Sequence, residues 1–146
     1  MSEIFLPIND STPSNKVRAL ADRLIEQIAN GAEFSAIARN FSQSATAAVG
    51  GSLGWIPRGL MPDSWETVAF ALSRGGYTTH PVVTKNGWHV ILVHEKADSR
   101  ELDAASVRHL KQATFNEWLE TAQSNADIEF LLTPEIVSWA QRHLPN

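Results

Sequence analysis

Asn86-Gly87 lies between two runs suited to strands, Pro81-Val82-Val83-Thr84 and Trp88 to Glu95, and no other dipeptide restricts the fold as tightly. A two-residue hairpin loop of type I′ needs positive φ at both central residues, which Asn and Gly tolerate best. The reading is an antiparallel hairpin late in the chain. Ile4-Phe5-Leu6-Pro7-Ile8 reads as a first strand, with Pro7 suited to its end or to an edge. Thr12 is expected as a helix N-cap with Pro13 at the first helical position. Val17, Leu20, Ala21, Leu24 and Ile28 then recur at helical spacing until Asn30-Gly31. A second helix carries Phe34, Ile37, Ala38 and Phe41 on one stripe.

Leu53-Gly54-Trp55-Ile56 is expected as a short strand ended by Pro57. Asp63-x-x-Glu66 looks like a capping box opening a helix whose stripe is Trp65, Val68, Ala69 and Leu72. The expected order is β-α-α-β-α-β-β. Strands mixed with helices and closed by a hairpin make this an α+β chain with an antiparallel four-stranded sheet. Composition shifts at Lys96 to Arg100, giving expected domains of 1–96 and 97–146. In the second, Val107, Leu110, Thr114, Trp118 and Ala122 mark a long helix, widened by Phe115, Leu119 and Ala126. A strand over Ile128 to Leu132 and a helix over Pro134 to His143 are expected after it.

Composition excludes several function classes. The chain has 146 residues, is 43% hydrophobic and 19% charged, and carries a net charge of −4. It has no basic run, so nucleic acid is not an expected partner. No apolar run approaches the roughly 20 residues of a membrane span. Cysteine is absent, which removes disulfides and thiolate chemistry. The five histidines lack clustered ligand spacing, so neither a metal nor another cofactor is expected. Gly50-Gly51-Ser52-Leu53-Gly54 matches G-x-S-x-G, but a nucleophile elbow needs a strand before the serine and a helix after it. Here a small-residue loop precedes and an apolar strand follows. His89 shares a strand face with Ile91 and Val93, and reads either as a satisfied core histidine or as a hydrogen-bond donor in a site.

Six matching stretches carry a family resemblance. They are Gly31-x-x-Phe34-x-x-x-Ala38-x-x-Phe41-Ser42, Gly50-Gly51-x-Leu53-Gly54-Trp55, Gly59-x-Met61, Ala69-Phe70-x-Leu72, Pro81-Val82-x-Thr84 and Gly87-x-His89-Val90-Ile91. In order and gaps, residues 4–94 resemble a parvulin-type peptidyl-prolyl cis/trans isomerase domain, with its FKBP-like fold. The resemblance implies a proline pocket at Leu53, Met61 and Trp65, backed by Phe70, with Trp65 where Phe is more usual. Spacing alone favours reading these four as ordinary core. His89 falls on the second of the family's two central histidines. Glu3 stands where the first is usual, and Ser44 where a Cys or Asp is usual. Catalytic roles are therefore assigned to His89, Ser44 and Glu3, with a noncatalytic peptide-binding chaperone as the alternative. The loop from Pro7 to Ser14 has no Lys or Arg, so no phosphate preference is expected.

The tail, Phe115 to Leu119 and Ala126 to Glu129, is similar to the C-terminal segment of SurA-type periplasmic chaperones. That implies unfolded outer-membrane proteins as clients and a Gram-negative periplasmic location for a fragment without its signal peptide. A complete chain would be cytoplasmic. Residues 102–132 are expected to self-associate or to dock on a missing N-terminal chaperone domain.

Overall fold

The computed structural model describes residues 1–9 and 13–126. Met1–Leu110 make one compact unit and a second begins at Lys111. The elements in chain order are β1 (Ser2–Pro7), α1 (Ser14–Ala29), α2 (Phe34–Phe41), a 3-10 turn (Ala47–Val49), α3 (Asp63–Ala71), β2 (Val82–Thr84), β3 (Gly87–Leu92) and α4 (Ala104–Asn125).

The sheet is antiparallel and three-stranded, in the order β1-β3-β2. Alternation along β1 separates its two faces. Ile4 and Leu6 join Val90 against α1 and α2, where Val17, Ala21, Leu24, Phe34, Ile37 and Ala38 are buried. The opposite face carries Ile91 and Val82 under Trp65 and Ala69 of α3. Helix α3 thus covers one face alone, and everything polar on that face must find partners beneath it.

The expected fourth strand at Leu53–Ile56 does not form. This segment meets the β1 end of the sheet through a Ser2–Ser52 bridge, the Glu3 N–H to Gly51 O bond at 2.9 Å, the Leu53 N–H to Met1 O bond at 3.0 Å and the Met1 ammonium to Gly54 O bond at 2.7 Å. Gly54 then turns the chain away at φ +70°, before Pro57 can offer no N–H. The hairpin register is also corrected. Thr84 pairs with Gly87, so Lys85 and Asn86 form the loop. No described residue other than glycine has positive φ, which rules out the type I′ turn. The Thr84 hydroxyl instead accepts the Asn86 N–H at 3.3 Å. Gly87 is needed for close approach, since a Cβ there would lie 2.3 Å from the Leu6 carbonyl oxygen.

Helix starts differ in detail. Pro13 occupies the N-cap of α1, one position before the expected site, and Thr12 lies outside the described residues. Pro62 precedes α3, and no side-chain cap forms there. Glu66 bypasses the capping box and accepts the N–H groups of Leu60 at 2.9 Å and Met61 at 3.0 Å. Phe41 ends α2 exposed rather than buried. The long helix forms as α4, whose described residues include none that is buried, and Phe115 and Trp118 stack at 5.9 Å between ring centroids. The strand and helix expected beyond residue 127 lie outside the described residues.

Candidate functional site

Glu3 is the one charged residue of β1. Its side chain is buried on the face under α3, where an ionised carboxylate must be hydrogen-bonded to be tolerated. Its Oε2 lies 3.1 Å from His89 Nδ1 and 3.2 Å from the indole Nε1 of Trp65. An indole N–H can only donate, so that carboxylate oxygen accepts it. With the carboxylate ionised, Nδ1 of His89 carries the proton that points at Glu3.

The other ring nitrogen, Nε2, sits 3.0 Å from Thr84 Oγ1. When His89 is neutral, Nε2 accepts the Thr84 hydroxyl. When the ring is doubly protonated, Nε2 donates and the hydroxyl can turn to the Gly87 carbonyl at 3.4 Å. Phe5 lies over the imidazole at 4.8 Å between centroids and fixes one of its faces. No buried side-chain nitrogen or oxygen among the described residues lacks a partner. Elements β1, β2, β3 and α3 each contribute one polar group to this chain of bonds: Glu3, Thr84, His89 and Trp65.

The remaining expected residues divide. Met61 and Leu53 are half-buried and pack against the cluster that contains Trp65. Trp65 itself has 0% exposure, so it lies beneath the surface rather than on a rim and presents no area to a ligand in this conformation. Phe70 lies elsewhere. It lines a groove of about 690 Å³ with Leu53, Ile56 and Trp55, beneath the Arg58 guanidinium stacked at 4.2 Å. Met61, Trp65 and His89 are not among that groove's walls. Ser44 does not join the His89 chain of bonds. Its hydroxyl pairs with Thr46 Oγ1 at 3.0 Å, while neighbouring Ser42 accepts the Phe5 N–H at 3.0 Å.

Sequence reasoning missed Thr84 as a partner of His89, and missed the indole N–H as a donor to Glu3. The available signal was Glu3 itself, a charge in a strand that needs donors. Among the described residues no group of three or more His, Asp or Glu could hold a metal. No helix there is long and apolar enough to cross a membrane.

Residues 4–95 match a family model described as Rotamase: PPIC-type PPIASE domain. The Chaperone SurA of Pseudomonas putida is 36% identical over 125 residues, which cover 77% of this chain and 28% of that protein. The Chaperone SurA of Cupriavidus pinatubonensis is 29% identical over 135 residues, covering 87% of this chain and 27% of the relative. The chain thus spans under a third of the length of these relatives. A solved PpiC-type peptidyl-prolyl cis-trans isomerase domain superposes with TM-score 0.64 at 33% identity, covering 69% of this chain and 92% of that one.

Proposed function

Because the chain belongs to the PPIC-type peptidyl-prolyl isomerase domain family, we propose that it binds extended, proline- or aromatic-containing segments of unfolded proteins and isomerises their X-Pro bonds. The barrier to that rotation is about 18–20 kcal/mol and comes from amide resonance. Lowering it needs no covalent step. It needs an apolar seat for the prolyl ring and polar groups that hold the twisted amide better than the planar one.

The observation that carries this reading is the bonded chain Glu3–His89–Thr84 on the same sheet face as the cluster containing Met61 and Leu53. In it, His89 has one nitrogen held by an acid and the other by a hydroxyl, so its donor direction is set before a peptide arrives. Met61 and Leu53 supply adaptable apolar area. Trp65 backs the seat from beneath, Phe70 lines the neighbouring groove that shares Leu53, and no phosphate preference is assigned.

A second reading is a noncatalytic peptide-binding chaperone. It is favoured by the full burial of Trp65 and by Ser44 bonding Thr46 rather than the histidine. Exchange NMR on a short X-Pro peptide separates the two. Cis–trans cross-peaks at substoichiometric protein support the isomerase. Shift changes at Met61 and Leu53 without faster exchange support the binder and end the catalytic reading.

The fuller role follows the relatives. One solved chain, from work describing two structurally related SurA-like chaperones of Campylobacter jejuni, one of them periplasmic, shares the fold at 22% identity and TM-score 0.57. We assign this chain to the same kind of setting: a periplasmic chaperone whose clients are outer-membrane proteins. Domain limits of 1–96 and 97–146 go with that reading, as does docking or self-association through residues 102–132. Among the described residues of that stretch, the exposed Leu102, Phe115, Trp118 and Leu119 support it.

A further inference from the structure

The isomerase reading uses Trp65 only as apolar bulk and leaves its indole N–H without a task. Yet that N–H is one of the two donors to Glu3 Oε2, the other being His89 Nδ1. A phenyl ring at this position would fill much of the same space and leave the carboxylate oxygen with the imidazole alone. The carboxylate would then be free to turn about its side-chain torsions, and His89 would lose a fixed acceptor.

We propose that Trp65 is a positioning residue whose indole N–H anchors the Glu3 carboxylate, and that the anchored carboxylate fixes the tautomer and ring direction of His89. Three bonds in series transmit the effect, at 3.2 Å from Trp65 to Glu3, 3.1 Å from Glu3 to His89 and 3.0 Å from His89 to Thr84. The Phe5 ring fixes a face of the imidazole but has no acceptor, so it cannot choose which nitrogen holds the proton. Thr84 can either give or take a proton and cannot choose by itself. The choice falls to the carboxylate, and the carboxylate is held by Trp65.

The proposal rests on the isomerase reading for its effect on turnover, and on geometry alone for its effect on the imidazole. Both are measured on the full 146-residue chain, ¹⁵N-labelled, as wild type, Trp65→Phe, Glu3→Gln and the double variant. Wild type should show His89 with Nδ1 protonated. In Trp65→Phe that imidazole should populate both tautomers, and peptide exchange should slow about ten-fold, the order of one hydrogen bond to a charged group. The double variant should be no slower than Glu3→Gln, because the indole acts on His89 only through the Glu3 carboxylate, which Gln no longer supplies.

Unchanged His89 nitrogen shifts in a folded Trp65→Phe overturn the proposal, and so do rate losses that multiply. Should Trp65→Phe fail to fold, the indole proton decides. It must move in Glu3→Gln, and a stationary indole resonance refutes the bond. A wild type without turnover ends the isomerase reading, while the imidazole spectra still decide the positioning role.

Discussion

Replacing Gly51 by alanine should destabilise the compact unit far more than the same change at Gly31. Both glycines have left-handed backbones, with φ +76° and φ +93°. That conformation costs an alanine roughly 1–2 kcal/mol. At Gly31 nothing lies within 4 Å of the added Cβ, so the backbone cost is the whole effect. At Gly51 the Cβ would sit 2.2 Å from the Glu3 carbonyl oxygen. The loop must retreat by about 1 Å, which breaks the Glu3 N–H to Gly51 O bond of 2.9 Å. Losing a buried bond of that kind adds about 1–3 kcal/mol. The expected totals are about 2–5 kcal/mol at Gly51 and about 1–2 kcal/mol at Gly31. Near 4 °C per kcal/mol for a unit of this size, the thermal midpoint should fall by ~8–20 °C and ~4–8 °C respectively. Urea titrations of both variants, with the same slope as wild type, give the free energies directly. Equal losses at the two positions would refute the steric account of how the loop is seated on β1. The Gly51 variant should also disturb the His89 ring signals, because Glu3 is the residue pushed.

Three further outcomes are expected. Met61→Ala should weaken peptide binding several-fold and cost under about 2 kcal/mol of stability, less than a fully buried methionine would; a loss of 3–5 kcal/mol in urea would make it core. His89→Ala should reduce peptide exchange more than peptide affinity, with stability lower by about 1–3 kcal/mol because Glu3 keeps only the indole as donor; parallel loss of rate and affinity, measured by exchange NMR and titration, would contradict its role. The Ser106 N–H bonds the Asp103 carboxylate at 2.7 Å and holds its pKa below the ordinary carboxylate value. The bond's support for the start of α4 is therefore complete above that ordinary value and is lost as pH falls through the lowered one. The Ser106 amide shift should follow this titration, and a flat profile would exclude the bond.

Much of this structure can be read from residue periodicity. The stripes of α1 and α3, and the alternation of β1 and β3, follow from apolar spacing that only one element type satisfies. The failures have local causes. Beside Asn86, Gly87 has the signature of a turn residue, yet it is there because β1 passes too close for a Cβ. Leu53 to Ile56 has strand composition but lacks the register, since glycines 50, 51 and 54 all take left-handed backbones around it. At the site, Glu3 and His89 come together as two departures from apolar patterning on paired strands. Trp65 was legible as buried mass but not as a donor, because the direction of an indole N–H depends on the tertiary placement of α3. Only motif position points to Ser44, and its short hydroxyl bonds within its own turn, to the Thr46 hydroxyl at 3.0 Å and the Thr46 N–H at 3.3 Å.

Lys96 leaves the end of the sheet and donates from one ammonium to the carbonyls of Phe70 and Leu72, each at 2.7 Å. Those carbonyls belong to the C-terminal turn of α3, which has no basic residue of its own there. A gene trimmed to the homologous span of residues 4–95 would delete this clasp at one end and Glu3 at the other. The shortened product would have a frayed α3 and a His89 whose Nδ1 has lost its acceptor while Nε2 keeps Thr84, and assays on it would under-report whatever the longer polypeptide can do.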